Sequence, residues 1–333
     1  MIICYHRSSS LGTLEMCEMQ YYFTYVLGMK GKANKKAMLG TMTHRALQIL
    51  ADKKLAQQNK KRKLKNDDIR DLTFAECDDI ELITQLAFDQ YRDLEPGISF
   101  GKEDLETCIS WMYKVLSYNG GELDPRNQNV FATEQFFDFE IQKDWAKYSY
   151  DIGGQKIEGN LAIKGTIDLI VQHEEKYFQI LDYKTGRRLN WATGKEKTYN
   201  DLQKDTQLLL YYYAIKNLYP DYDFYVSIYY INDGGLFEIP FGESDYLKAE
   251  NMLRQKFDYI RSVQVPRQIS PTQSGFKCEK LCNFSQLLDN GKTICSDVHD
   301  RIRKEGIDTV TAELADLKKI TRYQDGGGRI AKD

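Results

Sequence analysis

The residues best suited to do chemistry meet at the end of one predicted hairpin. The stretch 180–186 reads ILDYKTG, an apolar strand pattern that still carries Asp182 and Lys184 two positions apart before it stops at Thr185-Gly186. Side chains two apart on a strand share a face. Upstream, KGTIDLIVQ and KYFQILDYK flank the polar HEEK (His173 to Lys176), the pattern of a β-hairpin with a short loop. With the turn centred on Glu175, Asp168 and Asp182 lie equally far from it and stand opposite one another, their Cβ atoms roughly 5 Å apart. A slip of one residue would send the two acids to different faces. Like charges set directly opposite repel, so a fold keeps such a pair only with compensation. Lys184 alone supplies one form of it, a structural ion-pair cluster. A divalent cation held by hard oxygen ligands supplies another and leaves Lys184 for a reacting phosphate.

Other polar residues sit where apolar ones would be expected. In DTQLLLYY, Gln207 and Tyr211 lie four apart on one helical face, and a buried helix rarely spends a glutamine without a polar partner. LGTMTHRAL places His44, one of four histidines, on a helix otherwise apolar around it. Such a histidine is either a satisfied core residue or a third metal ligand. Gly165, three positions before Asp168, leaves room at the strand start, and Thr185-Gly186 ends the second strand as a site-opening turn would. Glu134, on the preceding strand, reads first as a surface residue and second as a site-lining one. Seven cysteines occur. In a reducing compartment disulfides are not expected, so a deliberate grouping among them points to a metal.

The elements that must position these groups follow from periodicity and punctuation. Residues 8 to 28 read as a Ser-capped helix closed by Gly28, and MLGTMTHRALQILADKK as a second helix. Residues 67 to 118 are helical by composition, and NGGELDPRN is a loop signal. Strands follow in VFATEQFFDFEI, KIEGNLAIKGTIDLIVQ and KYFQILDYK, then a helix in DLQKDTQLLLYYYAIKNLYP. FYVSIYYIN and LFEIPF read as two more strands, and ESDYLKAENMLRQKFDYIRSV as an amphipathic helix before Pro266, Pro271 and a cysteine-rich tail. DGGGR near the end reads as flexible. This order predicts an α/β domain with helices flanking one sheet. With 333 residues, 42% hydrophobic and 29% charged, the composition is that of a globular protein. No apolar run approaches the roughly 20 residues of a membrane span, and no secretion signal opens the chain, so a cytoplasmic setting with no membrane partner is expected. The net charge of −3 gives no general case for nucleic-acid binding. Local basic runs do exist: KGKANKK, NKKRKLK and KTGRRLNWATGKEK, the last with Trp191 inside it and Tyr199 just beyond.

Four short patterns in order, Gly40-Thr-Met-Thr-His44, Gly165-Thr-Ile-Asp168, Asp182-Tyr-Lys184-Thr-Gly186 and Gln207-Leu-Leu-Leu-Tyr211, resemble the RecB-type branch of the PD-(D/E)XK nuclease superfamily. Each alone is weak, and their order on the expected elements gives the resemblance its weight. It implies a restriction-endonuclease-like core with a central mixed β-sheet flanked by helices. It also implies that His44, Asp168 and Asp182, with the backbone carbonyl of Tyr183, ligate Mg²⁺ or Mn²⁺. Lys184 would orient the attacking water and stabilise charge on the scissile phosphate, with Gln207 and Tyr211 in support. Cys17, Cys278, Cys282 and Cys295 resemble the iron–sulfur sub-branch that includes AddB-like subunits and CRISPR-adaptation exonucleases. Four thiolates suit a [4Fe–4S] cluster, with zinc as the alternative. The three-residue and twelve-residue gaps around Cys282 are looser than that sub-branch's usual triplet, which leaves Cys4 as the reserve for Cys295. Cys77 and Cys108 read as ordinary buried residues.

On that resemblance the chain is a single nuclease domain, 1–333, acting on DNA that is single-stranded or has free ends. Its parts would be an N-terminal cluster helix (1–38), a histidine-motif helix (39–66), a helical insertion (67–120), the core (128–265), a cysteine-rich segment (266–300) and a tail (301–333). A repair, recombination or phage setting is implied, with a helicase or integrase as possible partner. No phosphate-binding loop of the type GxxxxGK followed by Ser or Thr is present, so any unwinding is done by another protein. A non-catalytic DNA-end-binding subunit is the rival reading, against which the intact Asp168, Asp182 and Lys184 argue.

Overall fold

The structure, a computed structural model, describes residues 1–29, 31, 34–66, 69–95, 97–190, 194–269, 275, 277–282 and 284–316. Trp191, Pro271, DGGGR, Lys30 and Lys32 lie outside them. In chain order the elements are β1 (Tyr5–His6), α1 (Ser8–Met16), α2 (Glu18–Tyr21), α3 (Lys35–Gln58), α4 (Ile80–Arg92), α5 (Lys102–Ser117), β2 (Val130–Glu140), β3 (Lys147–Ile152), β4 (Gln155–Asn160), β5 (Ala162–Glu174) and β6 (Tyr177–Lys184). There follow α6 (Tyr199–Leu202), α7 (Thr206–Leu218), β7 (Asp223–Tyr230), β8 (Gly235–Pro240), α8 (Glu243–Ser262), α9 (Ile294–Glu305) and α10 (Ile307–Leu314).

Six strands make one mixed sheet. β6 pairs antiparallel with β5 and parallel with β7, and β8 closes the far edge antiparallel to β7. The parallel step needs a crossover, which α7 supplies. β2 runs antiparallel along β5, and β1 lies parallel to the first residues of β5. Both faces are covered, so apolar residues of the central strands are buried on both sides of the sheet rather than on one. Leu169, Val171, Leu181 and Tyr183 pack with residues of α3, α4 and α5. Ile170, Phe178, Ile180, Val226 and Ile228 pack in the other layer with α7 and α8. This is the restriction-endonuclease-like architecture: a central mixed sheet flanked by helices.

The register of the β5–β6 hairpin decides whether two acids can share a site. Glu175 and Lys176 form the turn, and Glu174 faces Tyr177. Left uncorrected, that turn would put Asp168 opposite Tyr183. A register shift between Gln172 and Glu174 leaves His173 as an extra residue, and beyond it Gln172 faces Phe178 and Leu169 faces Leu181. One step further, Asp168 falls opposite Asp182. His173 is held in the bulge by Tyr225 Oη at 2.8 Å and Gln179 Oε1 at 3.3 Å.

Several boundaries differ from the sequence expectation. The helix over 8 to 28 breaks at Cys17, whose backbone is extended (φ −162°, ψ 119°), and continues as α2 and a π turn over Tyr22–Val26. The helix expected from Asp201 to Pro220 starts afresh at Asp205, whose carboxylate caps Gln207 N at 2.9 Å. β3 and β4 form a separate hairpin across Gly153-Gly154, both at positive φ. The supposed tail is helical up to Leu314: α10 docks where Tyr22 Oη meets Thr311 Oγ1 at 2.9 Å.

Candidate active site

β6 carries Asp182 into the interior, its side chain only 2% exposed. Such an anion needs partners, and the sequence supplies two. Lys184 Nζ donates to Asp182 Oδ1 at 3.0 Å and lies 2.7 Å from Oδ2. Gln207 Nε2 donates to the same Oδ1 at 2.9 Å and to Tyr211 Oη at 2.8 Å. The polar partner that a buried glutamine demanded is therefore the acid of the DYKTG segment. Asp168 Oδ2 accepts from the Tyr183 amide at 2.9 Å and faces His44 Nδ1 at 3.4 Å. The Tyr183 amide thus joins the site, and its buried ring sends Oη to the Leu123 carbonyl at 3.3 Å.

Two glycines set this geometry by what they lack. A Cβ on Gly40 would stand 2.7 Å from Thr185 Oγ1, so α3 touches the KTG turn there and His44, one turn later, reaches Asp168. A Cβ on Gly165 would stand 2.7 Å from Phe137 Cζ. The room expected at that strand start is thus filled by the Phe137 ring, which meets Tyr211 edge-on at 6.2 Å. Gly165 packs the wall of the site and does not open it.

Glu134 takes its second reading. It is half-buried and lies between the pairs Thr133–Leu169 and Gln135–Ile167, hence opposite Asp168. With His44, Asp168 and Tyr183 it lines a cavity of about 10 Å³, near the space of one water molecule. Its φ is +45°, in the left-handed region, in mid-strand. For a residue with a Cβ that conformation costs about 1–2 kcal/mol. Nothing in the residue pattern of VFATEQFFDFEI announces this strain.

The charges balance within the site. Burial raises the Asp182 carboxyl, to about 6, against the pull of Lys184. Burial would also raise Asp168, but His44, Lys184 and the Tyr183 amide hold it below the usual carboxylate range. Burial would lower His44, and the Asp168 carboxylate beside it reverses the sign, so its pKa is raised. Against burial, Asp182 holds Lys184 above the ordinary lysine value. Among the described residues no three His, Cys, Asp or Glu side chains already converge as metal ligands. Asp168 and Asp182 are turned to protein donors. One feature still fits a hard cation: Asp182 Oδ2 is buried, and its partner is the Lys184 ammonium 2.7 Å away, a charge contact without hydrogen-bond geometry. Imidazole with carboxylates is also a donor set that both Mg²⁺ and Mn²⁺ accept.

The four cysteine positions come from three places in the chain. Cys17 sits in the extended break before α2, Cys278 and Cys282 at a π turn over Lys277–Leu281, and Cys295 in the first turn of α9. Burial pushes the Cys295 thiol up to about 12, and the nearby Cys17, Cys282 and Cys278 add to that. Burial likewise raises Cys282, with Cys17 and Cys278 contributing. Cys4, the reserve, is elsewhere: its buried thiol neighbours Tyr148 and Lys164. Cys77 and Cys108 are fully buried in the helical layer.

Residues 8–287 match the family model described as the PD-(D/E)XK nuclease superfamily. The chain belongs to this superfamily. No curated protein matches it. Members of the superfamily are nucleases, hydrolases that typically use Mg²⁺ or Mn²⁺. The match spans the helix of His44, the hairpin of Asp168 and Asp182, and the helix of Gln207. No helix of the described nuclease is long and apolar enough to cross a membrane.

Proposed function

We propose that this nuclease is a metal-dependent deoxyribonuclease acting on single-stranded or frayed DNA ends, an exonuclease. The observation that carries the reading is the meeting of Lys184, Asp182 and Gln207 with the His44–Asp168 pair at one end of the sheet. His44, Asp168 and Asp182 would hold Mg²⁺ or Mn²⁺, the cation taking over the contact those groups now make with protein partners. When bound, it supplies Lewis acidity toward the scissile phosphate and the attacking water. The rest falls to the chain. Lys184, as its ammonium, would donate to a phosphate oxygen as negative charge grows there. Gln207 and Asp205 fix the start of α7, and Gln207 holds Asp182 in the rotamer that Lys184 needs. Glu134 lines the cavity beside Asp168, placed to bond the water or cation shell there.

The test is degradation of linear, circular, single- and double-stranded DNA with and without Mg²⁺ or Mn²⁺. Asp182→Ala and Lys184→Ala run beside the parent. Circular substrates cut as fast as linear ones would exclude the exonuclease, and both variants cutting like the parent would exclude the site. DNA-end binding without cleavage by the parent would favour the non-catalytic subunit.

Cys17, Cys278, Cys282 and Cys295 are read as ligands of a structural [4Fe–4S] cluster, with zinc as the alternative. The support is that Cys17, Cys278 and Cys282, from distant chain positions, each lie near enough to Cys295 to raise its thiol. Such a group would tie α2 to α9 around the core. Elemental analysis for iron and zinc, together with the visible colour that an iron–sulfur cluster gives and zinc does not, separates the two.

A further inference from the structure

The three basic runs of the sequence meet different fates in the fold. In the run after the KTG turn, the Arg188 guanidinium lies 2.7 Å from Glu196 and stacks over Phe237 at 4.7 Å, while Lys197 pairs with Asp205. In the first run, Lys35 pairs with Asp104 at 2.8 Å. The run Asn59–Lys65 is different. Lys60, Lys61, Arg62, Lys63 and Lys65 are all exposed, and of these only Lys63 has a recorded ion pair among the described residues, with Asp71. Counting Asp67, Asp68 and Asp71, residues 59–71 still carry six cations against three acids.

These cations stand on a pinned segment. The Gln58 side chain exchanges two hydrogen bonds with the Val130 backbone, at 2.8 and 2.9 Å, tying the end of α3 to β2. Lys60 turns the chain at φ +56°, with its amide on the Gln57 carbonyl and the Lys61 amide on that of Ala56. Leu64, 6% exposed, exchanges two backbone hydrogen bonds with Leu72 at 3.0 and 2.9 Å. Between these anchors the run borders a depression of about 710 Å³ lined also by Asp52, Leu55 and Ala56. Cations after a helix have a bland role, meeting its last carbonyls, but that effect fades within a turn and does not extend to Lys65.

Helical spacing ties the depression to the active site. His44, Gln48, Asp52, Leu55 and Asn59 recur every three or four residues and form one stripe along α3. At 1.5 Å per residue the run begins about 23 Å from His44. Along one strand of a duplex, at 3.4 Å per phosphate, that is about seven nucleotides.

We propose that this pinned depression is a second nucleic-acid contact, in which Lys60, Lys61, Arg62 and Lys65 grip the phosphodiester backbone about seven nucleotides from the scissile bond. The inference rests on the nuclease reading and adds an anchor to it. The contact is sequence-independent, because ammonium and guanidinium groups meet phosphate and not base edges.

The experiment uses the full chain carrying Lys184→Ala, so that DNA survives, and measures duplex binding by fluorescence anisotropy across a salt series. Replacing Lys60, Lys61, Arg62 and Lys65 together by Gln should make the slope of log affinity against log salt shallower by about 3.6, since each of the four lost phosphate contacts removes about 0.9. Affinity for a long duplex should fall at least tenfold, while a duplex too short to reach the depression binds as before. The same four positions as Arg should bind like the parent. An unchanged slope, or equal weakening by Lys102→Gln with Lys248→Gln on other faces, overturns the proposal. So does an all-Arg protein as weak as the Gln version. Cleavage is read separately with Lys184 present. No cleavage with the slope still shallower sinks the nuclease reading and leaves the contact standing. Cleavage with an unchanged slope sinks the contact alone.

Discussion

Two groups of acids lie at different places in this fold, and they are kept in opposite ways. The carboxylates of Asp168 and Asp182 are compensated by protein: His44, the Tyr183 amide, Lys184 and Gln207. Among the described residues the thiols of Cys282 and Cys295 meet the Phe284 amide at 3.5 Å and Gln268 Nε2 at 3.4 Å. Burial acts to raise both kinds of acid, and in the first group Lys184 and His44 oppose it, bringing Asp168 below its ordinary range and leaving Asp182 at about 6. At neutral pH the carboxylate site is therefore compensated by protein groups, while the raised thiols of Cys282 and Cys295 would give up their protons to a metal if the proposed cluster forms. The first reads as a site where a cation comes and goes, the second as one where it stays.

The largest effect that sharpens this contrast is at Lys184. Lys184→Ala leaves Asp182 buried and half-compensated, at a cost of roughly 2–4 kcal/mol, and removes the charge that meets the phosphate. Turnover should fall about 10³-fold or more. Lys184→Ala with parental turnover would mean that Asp182 is compensated for structure alone. Next come the thiols. Cys282→Ser should lose the bound metal and about 2 kcal/mol or more of stability, a drop of roughly 4–8 °C in Tm. EDTA that removes Mg²⁺ should stop cleavage and leave that Tm in place. Equal Tm losses from both treatments would erase the distinction.

The carboxylate site should also respond to pH in a definite direction. The Asp182 pKa in the fold, about 6, lies above its ordinary 3.8, so its contribution to stability is complete below 3.8 and is lost as pH rises through 6. His44 is raised above 6.5, so its contribution is complete below that value and is lost at higher pH. Both favour the metal-free state in acid. Added Mn²⁺ should therefore raise Tm least near pH 5 and most near pH 8. A rise that does not vary with pH would exclude these two groups as the ones the cation displaces.

How much of this was legible in the sequence depends on whether a feature is local. The hairpin, the helix of His44 and the Gln207–Tyr211 face follow from side-chain period alone. The facing of Asp168 and Asp182 was legible only through two offsetting details, since the turn lies half a residue from its expected centre and the His173 bulge restores the register. Gly165 was legible as a space but not as one filled by Phe137, because the ring comes from another strand. The break at Cys17 hid inside a sound helical period. The helices after Ile294 hid behind loop-like residues and are held by contacts such as Tyr22 with Thr311, 289 positions apart.

The smallest effect concerns Glu134, and its sign separates chemistry from structure. A residue with a Cβ held at φ +45° is strained, so Glu134→Gly should stabilise the metal-free protein by about 1 kcal/mol, roughly 2–4 °C in Tm. The same change removes a carboxylate from the cavity beside Asp168 and should lower both Mn²⁺ affinity and turnover by about tenfold, a typical loss for a residue supporting a metal site. Glu134→Gln keeps the side chain and the strain, so it should lose the activity without gaining the stability. Proteins keep such strain where it positions a functional group. If Glu134→Gly gains stability with turnover and Mn²⁺ affinity untouched, the strained acid belongs to the strand alone. The acids that matter would then be only those matched by Lys184 and His44.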